Sequence, residues 1–141
     1  MNIKDVMTWN PVCRPPNATL QDVAQLMRDQ DIGEVPVMAV DGARKLLGVV
    51  TDRDIVVRAV AAGRDIAAVR ATDCMTAPAV TCNESDTLED CAQAMASHRI
   101  RRMPIVDASG ELRGIVAQAD LQATDARSLK EQVADRVSTP H

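Results

Sequence analysis

The stretch Gly48-Val49-Val50-Thr51-Asp52-Arg53-Asp54-Ile55 decides how this chain folds. An apolar run opens on a glycine and closes on a threonine. A cluster of charge comes next and leads into Ile55-Val56-Val57. β-Branched residues in a short apolar run suit a strand, and the segment from Asp54 onward reads as a helix, so Thr51 and Asp54 flank a strand-to-helix junction. A degenerate copy recurs as Gly114-Ile115-Val116-Ala117-Gln118-Ala119-Asp120-Leu121.

Much of the chain repeats around these two junctions. Asp5-Val6-Met7-Thr8 matches Asp73-Cys74-Met75-Thr76, Thr19-Leu20-Gln21-Asp22 matches Thr87-Leu88-Glu89-Asp90, and Pro36-Val37 matches Pro104-Ile105. Each of these pairs is separated by 68 residues, and Gly114 comes 66 after Gly48 because the loop around Gly42 is longer than the one around Gly110. One register held across so many matches marks an internal duplication.

Each copy reads in the same order: strand, helix, strand, strand, helix. Pro11-Val12-Cys13-Arg14 is a short strand stopped by Pro15-Pro16. Thr19 is a helix N-cap with Asp22 three residues on, and Leu20, Val23, Ala24 and Met27 form the apolar face. Leu88, Cys91, Ala92 and Met95 repeat that face in the second copy. The next strands are Val35–Met38 and Leu47–Val50, answered by Met103–Val106 and Ile115–Val116. A second helix starts near Asp54 and ends at Gly63, a residue suited to the left-handed C-cap position. A lone copy of this size is marginal, so the two are expected to stack and bury their apolar faces in one core. The expected boundaries are 1–63 for the first repeat, 64–70 for a linker, 71–125 for the second repeat and 126–141 for a polar tail. Leu129, Val133 and Val137 recur every fourth residue there, which suits a narrow amphipathic helix or a frayed end.

Composition narrows the function. The 141 residues are 46% hydrophobic and 26% charged, as in an ordinary globular protein. With one Trp and no Phe or Tyr, there is no aromatic platform for single-stranded nucleic acid. The net charge of −4 argues against DNA or an anionic membrane as partner. No leader and no long apolar span is visible, so a cytoplasmic location is expected. Cys13, Cys74, Cys82 and Cys91 form no C-x-x-C pair and read as reduced, unligated thiols; no metal site is expected. No nucleophile–base pair, H-E-x-x-H or phosphate loop is present, and His98 and His141 are a poor supply for acid–base work, so the chain is not expected to be an enzyme.

The Asp-Val-Met-Thr lead-in, the helix opened by Thr-Leu, the Ile-x-x-hydrophobic-Pro-Val strand and the Gly-Val-Val-Thr-Asp-Arg-Asp-Ile junction together resemble the CBS (cystathionine-beta-synthase) domain. Two such repeats would make a CBS pair, or Bateman module, over roughly Asp5 to Leu121, similar to stand-alone bacterial CBS-pair proteins of the hypoxic-response or stress type. The resemblance implies an α/β (α+β) fold of tandem repeats stacked about a pseudo-two-fold, commonly dimerised. It implies a regulatory module that binds AMP, ADP, ATP or S-adenosylmethionine in clefts between the repeats, with no required cofactor. Binding would shift the geometry of the pair or its contacts with a partner protein.

The resemblance also implies site residues. Asp54 and Thr51, and in the second copy Asp120, are placed at the ribose. Thr8, Cys13, Ile32 and Gly33 are placed at the base side of the first site, with Thr76 and Ile100 as second-copy counterparts. Arg101 and Arg102 are placed at the phosphates, with Arg14 and Arg53 as further candidates. The chemistry is sound: an ionised carboxylate accepts both ribose hydroxyls, a helix N-terminus offers free N–H groups, and arginine grips phosphate bidentately. The same residues admit plainer readings. Thr51-x-x-Asp54 is also a capping box, and Arg99, Arg101 and Arg102 also read as a solvated basic face. Ala117 replaces the hydroxyl residue in the second copy, which weakens the case for that site. The rival function is a ligand-free dimeric scaffold.

Overall fold

The computed structural model describes residues 2–124, so the tail over 126–141, with the Leu129, Val133 and Val137 spacing, lies outside the described residues. In the first half, helix α1 (Ile3–Val6) and strand β1 (Thr8–Trp9) lead to helix α2 (Leu20–Gln30). Strands β2 (Glu34–Met38) and β3 (Leu46–Thr51) come next, then the turn α3 (Asp52–Asp54), which continues as a π-helical segment over Ile55–Val60. The second half runs α4 (Ala71–Cys74), β4 (Cys82–Asn83), α5 (Leu88–His98), β5 (Arg102–Val106) and β6 (Leu112–Ala117), with 118–124 helical.

Local sequence explains the helices. Thr19 accepts the N–H of Asp22 at 3.1 Å, and Thr87 accepts that of Asp90 at 3.0 Å, which satisfies one orphan donor at each N-terminus. Both helices end on a residue in the left-handed region, Asp31 and Arg99. Ala61 caps the π-helical segment, and Gly63, with φ of +71°, turns the chain away two residues on, its N–H reaching the Val60 carbonyl at 3.1 Å. The expected strand Pro11–Arg14 shrinks to a single parallel bridge between Arg14 and Val37. Pro11, Pro15 and Pro16 carry no N–H, so the ladder has little to extend it. In the second copy the corresponding β4 pairs with β5 over two residues.

The two hairpins share one design. β2–β3 and β5–β6 are antiparallel, and each slips register at equivalent places, between Val37 and Met38 and between Ile105 and Val106. Each repeat lends its lead-in to the other. β1 joins the edge of β6, pairing Thr8 with Ile115, while Thr76 bridges to Val49 of β3. The glycines of the two motifs make this exchange possible: a Cβ at Gly48 would lie 2.6 Å from the Thr76 carbonyl oxygen, and one at Gly114 would lie 2.7 Å from that of Thr8.

The exchange also corrects the expectation of one shared core. The buried residues form two clusters. One packs Leu20, Val23, Val35 and Val50 with Ala71 and Cys74 of α4; the other packs Cys91, Met95, Met103 and Val116 with Ile3 and Met7 from the N-terminus. Each hairpin is covered by its own long helix and by the lead-in borrowed from the other copy. The pair is laced together by exchanged segments, and a cleft opens between the repeats.

Candidate functional site

The cleft has a volume of about 930 Å³. Its first wall holds Asp31, Ile32, Gly33 and Glu34 before and within β2, and Thr51 to Asp54 at the β3–α3 junction. Its second wall holds His98 to Arg102, the turn from α5 into β5, with Ala117 and Gln118 from the end of β6. Thr76 of the exchanged lead-in completes it.

Asp54 is the most constrained group. It is 8% exposed. Its Oδ2 accepts the Thr51 N–H at 3.0 Å while Thr51 Oγ1 accepts the Asp54 N–H at 3.0 Å, so the capping box is fully formed. The Thr76 hydroxyl lies 3.3 Å from both carboxylate oxygens, and Arg58 Nε lies 3.7 Å from Oδ1. Arg58 stands four residues after Asp54 and also donates to the carbonyls of Cys74 and Met75 at 3.3 and 3.0 Å. The capping reading is therefore true of this structure, and it does not use up the group. A carboxylate has about four lone-pair sites, so capacity remains on the cleft side for further donors.

The second junction differs. Asp120 Oδ2 accepts the Ala117 N–H at 3.1 Å, the backward half of the same box, but Ala117 has no hydroxyl to return the bond. Asp120 is not among the residues lining the cleft, although Ala117, Gln118 and Ala119 are.

Of the residues assigned from sequence, Thr51, Asp54, Thr76, Ile32, Gly33, Ile100, Arg53, Arg101 and Arg102 meet in this one cleft. Thr8, Cys13 and Arg14 do not line it. Thr8 sits on the edge of β6, beside the second junction, because the lead-ins are exchanged. The placement of Thr8 with Asp54 is thus corrected: Thr76, not Thr8, is the threonine against Asp54. Arg14 turns toward α2, where its Nε meets Asp22 Oδ2 at 3.0 Å, and its Nη1 donates to the Cys13 carbonyl at 3.1 Å.

The cleft residue missed in the sequence is Glu34. Every position of β2 is buried, and Glu34 itself is only 6% exposed. Burial pushes its carboxyl up to about 7; Arg102 pulls in the opposite direction and Asp54 adds to the rise. A lone acidic residue opening an apolar strand was the available signal. The cysteines lie elsewhere. Cys82 and Cys91 are buried beside each other, and burial pushes the Cys91 thiol up to about 12, which holds it protonated and inert. Among the described residues no three His, Cys, Asp or Glu side chains gather as a metal site, and no helix is long and apolar enough to cross a membrane.

The sequence pattern of the CBS domain matches residues 3–60 and 71–124. The chain belongs to the CBS domain family. It is 42% identical over 120 residues to the CBS domain-containing protein YhcV of Bacillus subtilis, covering 85% of this chain and 82% of that one. Among solved structures it resembles Hypoxic Response Protein I, crystallised with two coordinated zinc ions, at a TM-score of 0.79 and 31% identity over 87% of this chain and 98% of that one. It also resembles CBSX2, solved in complex with AMP, at a TM-score of 0.75 and 25% identity, covering 92% of this chain and 98% of that one. The tandem CBS fold is therefore shown by both sequence and structure.

Proposed function

We propose that this CBS pair is a regulatory module that binds an adenosine nucleotide in the cleft between its repeats. One observation carries the reading: a buried carboxylate with two threonine hydroxyls, Asp54 with Thr51 and Thr76, stands in the same cleft as Arg101 and Arg102. The carboxylate end suits a ribose diol, since it only accepts hydrogen bonds. The arginine end suits phosphate, which guanidinium grips in a fixed fork. Ile32, Gly33 and Ile100 offer an aliphatic slot for a base in a protein without Phe or Tyr. The complex of CBSX2 with AMP supports AMP as the first ligand to try. ADP, ATP and S-adenosylmethionine belong to the same test.

Because opposite walls of the cleft belong to different repeats, a bound nucleotide would join them, and its free energy would bias the angle between them. This is the differential contact a switch requires. The chain acts by binding and not by turnover.

The test is thermal unfolding with AMP, ADP, ATP and S-adenosylmethionine, on wild type and on Asp54→Asn. A ligand at about 100 times its Kd adds about 2.7 kcal/mol, a rise of several degrees for a domain of this size. A rise that disappears in Asp54→Asn supports the nucleotide site. No rise with any ligand, in protein freed of carried-over nucleotide, sinks it.

A second reading has its own observation. Val56, Val57 and Val60 on the π-helical segment are 57%, 50% and 58% exposed, an apolar face that favours a homodimer. Sedimentation of wild type against Val57→Asp reads this out. A dimer that forms without ligand, in a chain that binds none, would make the pair a scaffold.

A further inference from the structure

The duplication sets opposite charges at equivalent seats. Arg102 stands 68 residues after Glu34. Each opens the inner strand of its hairpin, Glu34 opposite Thr51 and Arg102 opposite Ala117. The pseudo-two-fold brings both to the one cleft. Neither is settled by a close partner. Among the described residues no ion pair closes on Glu34. Arg102 Nε is buried with no hydrogen-bond partner among those residues. A buried charge in this condition is costly, and each of the two reduces the cost of the other across the cleft.

We infer that Glu34 sets what the cleft accepts: it is the internal counter-charge of Arg102, and a ligand phosphate takes over that role, so that a phosphate-bearing ligand binds together with a proton on Glu34. This rests on the nucleotide site proposed above. A phosphate seated on Arg101 and Arg102 removes the attraction that keeps Glu34 ionised and adds negative charge nearby. Both effects favour the neutral acid. The proton comes from solvent and goes onto a Glu34 carboxylate oxygen, and no bond of the ligand changes. The unliganded carboxyl, held at about 7, is already poised for this. A ligand without phosphate leaves the Glu34–Arg102 relation intact and takes up no such proton.

The other charges around Glu34 fix the sign. On the first wall, Asp54 opposes its ionisation, and Asp52 and Arg53 line the same cleft with opposite charges. On the second wall, Arg102 favours its ionisation, and Arg101 lines the cleft beside it. His98 and Arg99 lie at the end of α5 and Asp31 at the end of α2. Imidazoles as a class change charge near neutrality, so His98 needs its own control.

The experiment is calorimetric titration of the full chain with AMP at pH 6 and pH 8, on wild type, Glu34→Gln and His98→Ala. Each is run in buffers of different ionisation enthalpy to count protons. AMP's own phosphate, with a second pKa of about 6, is common to all three proteins and cancels in the ratios. The wild-type affinity relative to Glu34→Gln should fall about five- to tenfold from pH 6 to pH 8, for a carboxyl at about 7 that rises by one or more on binding. Wild type and His98→Ala should take up more proton than Glu34→Gln, and the count on wild type needs no substitution at Glu34. Equal pH profiles and equal proton counts for wild type and Glu34→Gln would overturn this inference and leave the nucleotide site standing. AMP binding by none of the proteins at either pH would remove the nucleotide site and this inference with it.

Discussion

The two strand-to-helix junctions began as one motif, and they now do different work. At the first, Thr51 and Asp54 close a full capping box, Thr76 leans on the carboxylate, and Glu34 sits across the hairpin from Thr51. At the second, Ala117 and Asp120 keep half a box, and Arg102 sits where Glu34 does. The first repeat thus presents mostly acid to the cleft, in Asp31, Glu34, Asp52 and Asp54, and the second presents His98, Arg99, Arg101 and Arg102. A duplicated fold with identical halves would present the same charge twice. Divergence at equivalent seats gives one polarised cleft, mostly acidic on the first wall and basic on the second. The comparison can be broken, or sharpened, by changing one seat at a time.

The largest effect belongs to the burial of Glu34, which Arg102 only partly offsets. Its carboxyl is raised from 4.5 to about 7 in the folded protein. Between those values the native state holds the proton and the unfolded chain does not, so stability falls as pH rises through the window. The contribution is whole below about pH 4.5 and lost above about pH 7. At 1.36 kcal/mol for each pH unit of difference, the loss is on the order of 3 kcal/mol. Glu34→Gln should therefore be more stable than wild type at pH 8 in urea unfolding, with the gap closing toward pH 4.5. A constant gap across pH would mean that burial does not hold the Glu34 carboxyl above its ordinary range.

The next effect belongs to the glycines under the exchanged lead-ins. Gly48→Ala and Gly114→Ala each drive a methyl into a backbone carbonyl, at 2.6 and 2.7 Å. Overpacking of this kind costs about 1–3 kcal/mol, and the two losses should be similar because the exchange is symmetric. Their effects on AMP should not be. Gly48→Ala displaces Thr76 from Asp54, whereas Gly114→Ala disturbs Thr8, which does not line the cleft. Equal loss of AMP affinity in both variants would contradict the assignment of the site to the first junction.

These cases also show what a sequence can disclose. Thr19 with Asp22 and Thr87 with Asp90 were legible as caps because the bond joins residues three apart. The hairpins were legible from short apolar runs and the glycines between them. The exchange was not, because Thr8 finds Ile115 at the far end of the chain, and Gly114 announces a close approach without naming what approaches. Arg14 was misplaced for the same reason: its charge suits phosphate, and only the fold shows that Asp22 lies nearer. Glu34 was visible as a charge beside an apolar strand, but only the fold places Arg102 in the same cleft.

The smallest effect tests the two caps directly. Thr51→Ala removes the hydroxyl that takes the Asp54 N–H, and loss of such a cap costs about 1 kcal/mol. Ala117→Thr supplies the hydroxyl the second junction lacks, and Asp120 is already turned back onto residue 117 to complete the box. The gain should be smaller than the loss at Thr51, since β-branched threonine gives up rotamer freedom at either site and nothing at the second junction has been packed around its methyl. Urea unfolding of both variants reads the asymmetry. The nucleotide response then separates capping from binding. Thr51→Ala should weaken AMP beyond its effect on stability, because Thr51 lines the cleft. Ala117→Thr should stabilise the fold and leave the Asp54 dependence of AMP binding in place, even though Ala117 also lines the cleft. If Ala117→Thr instead creates a second AMP-binding event of similar affinity, the missing hydroxyl alone silenced that junction, and the acid and arginine seats matter less than the charge comparison holds.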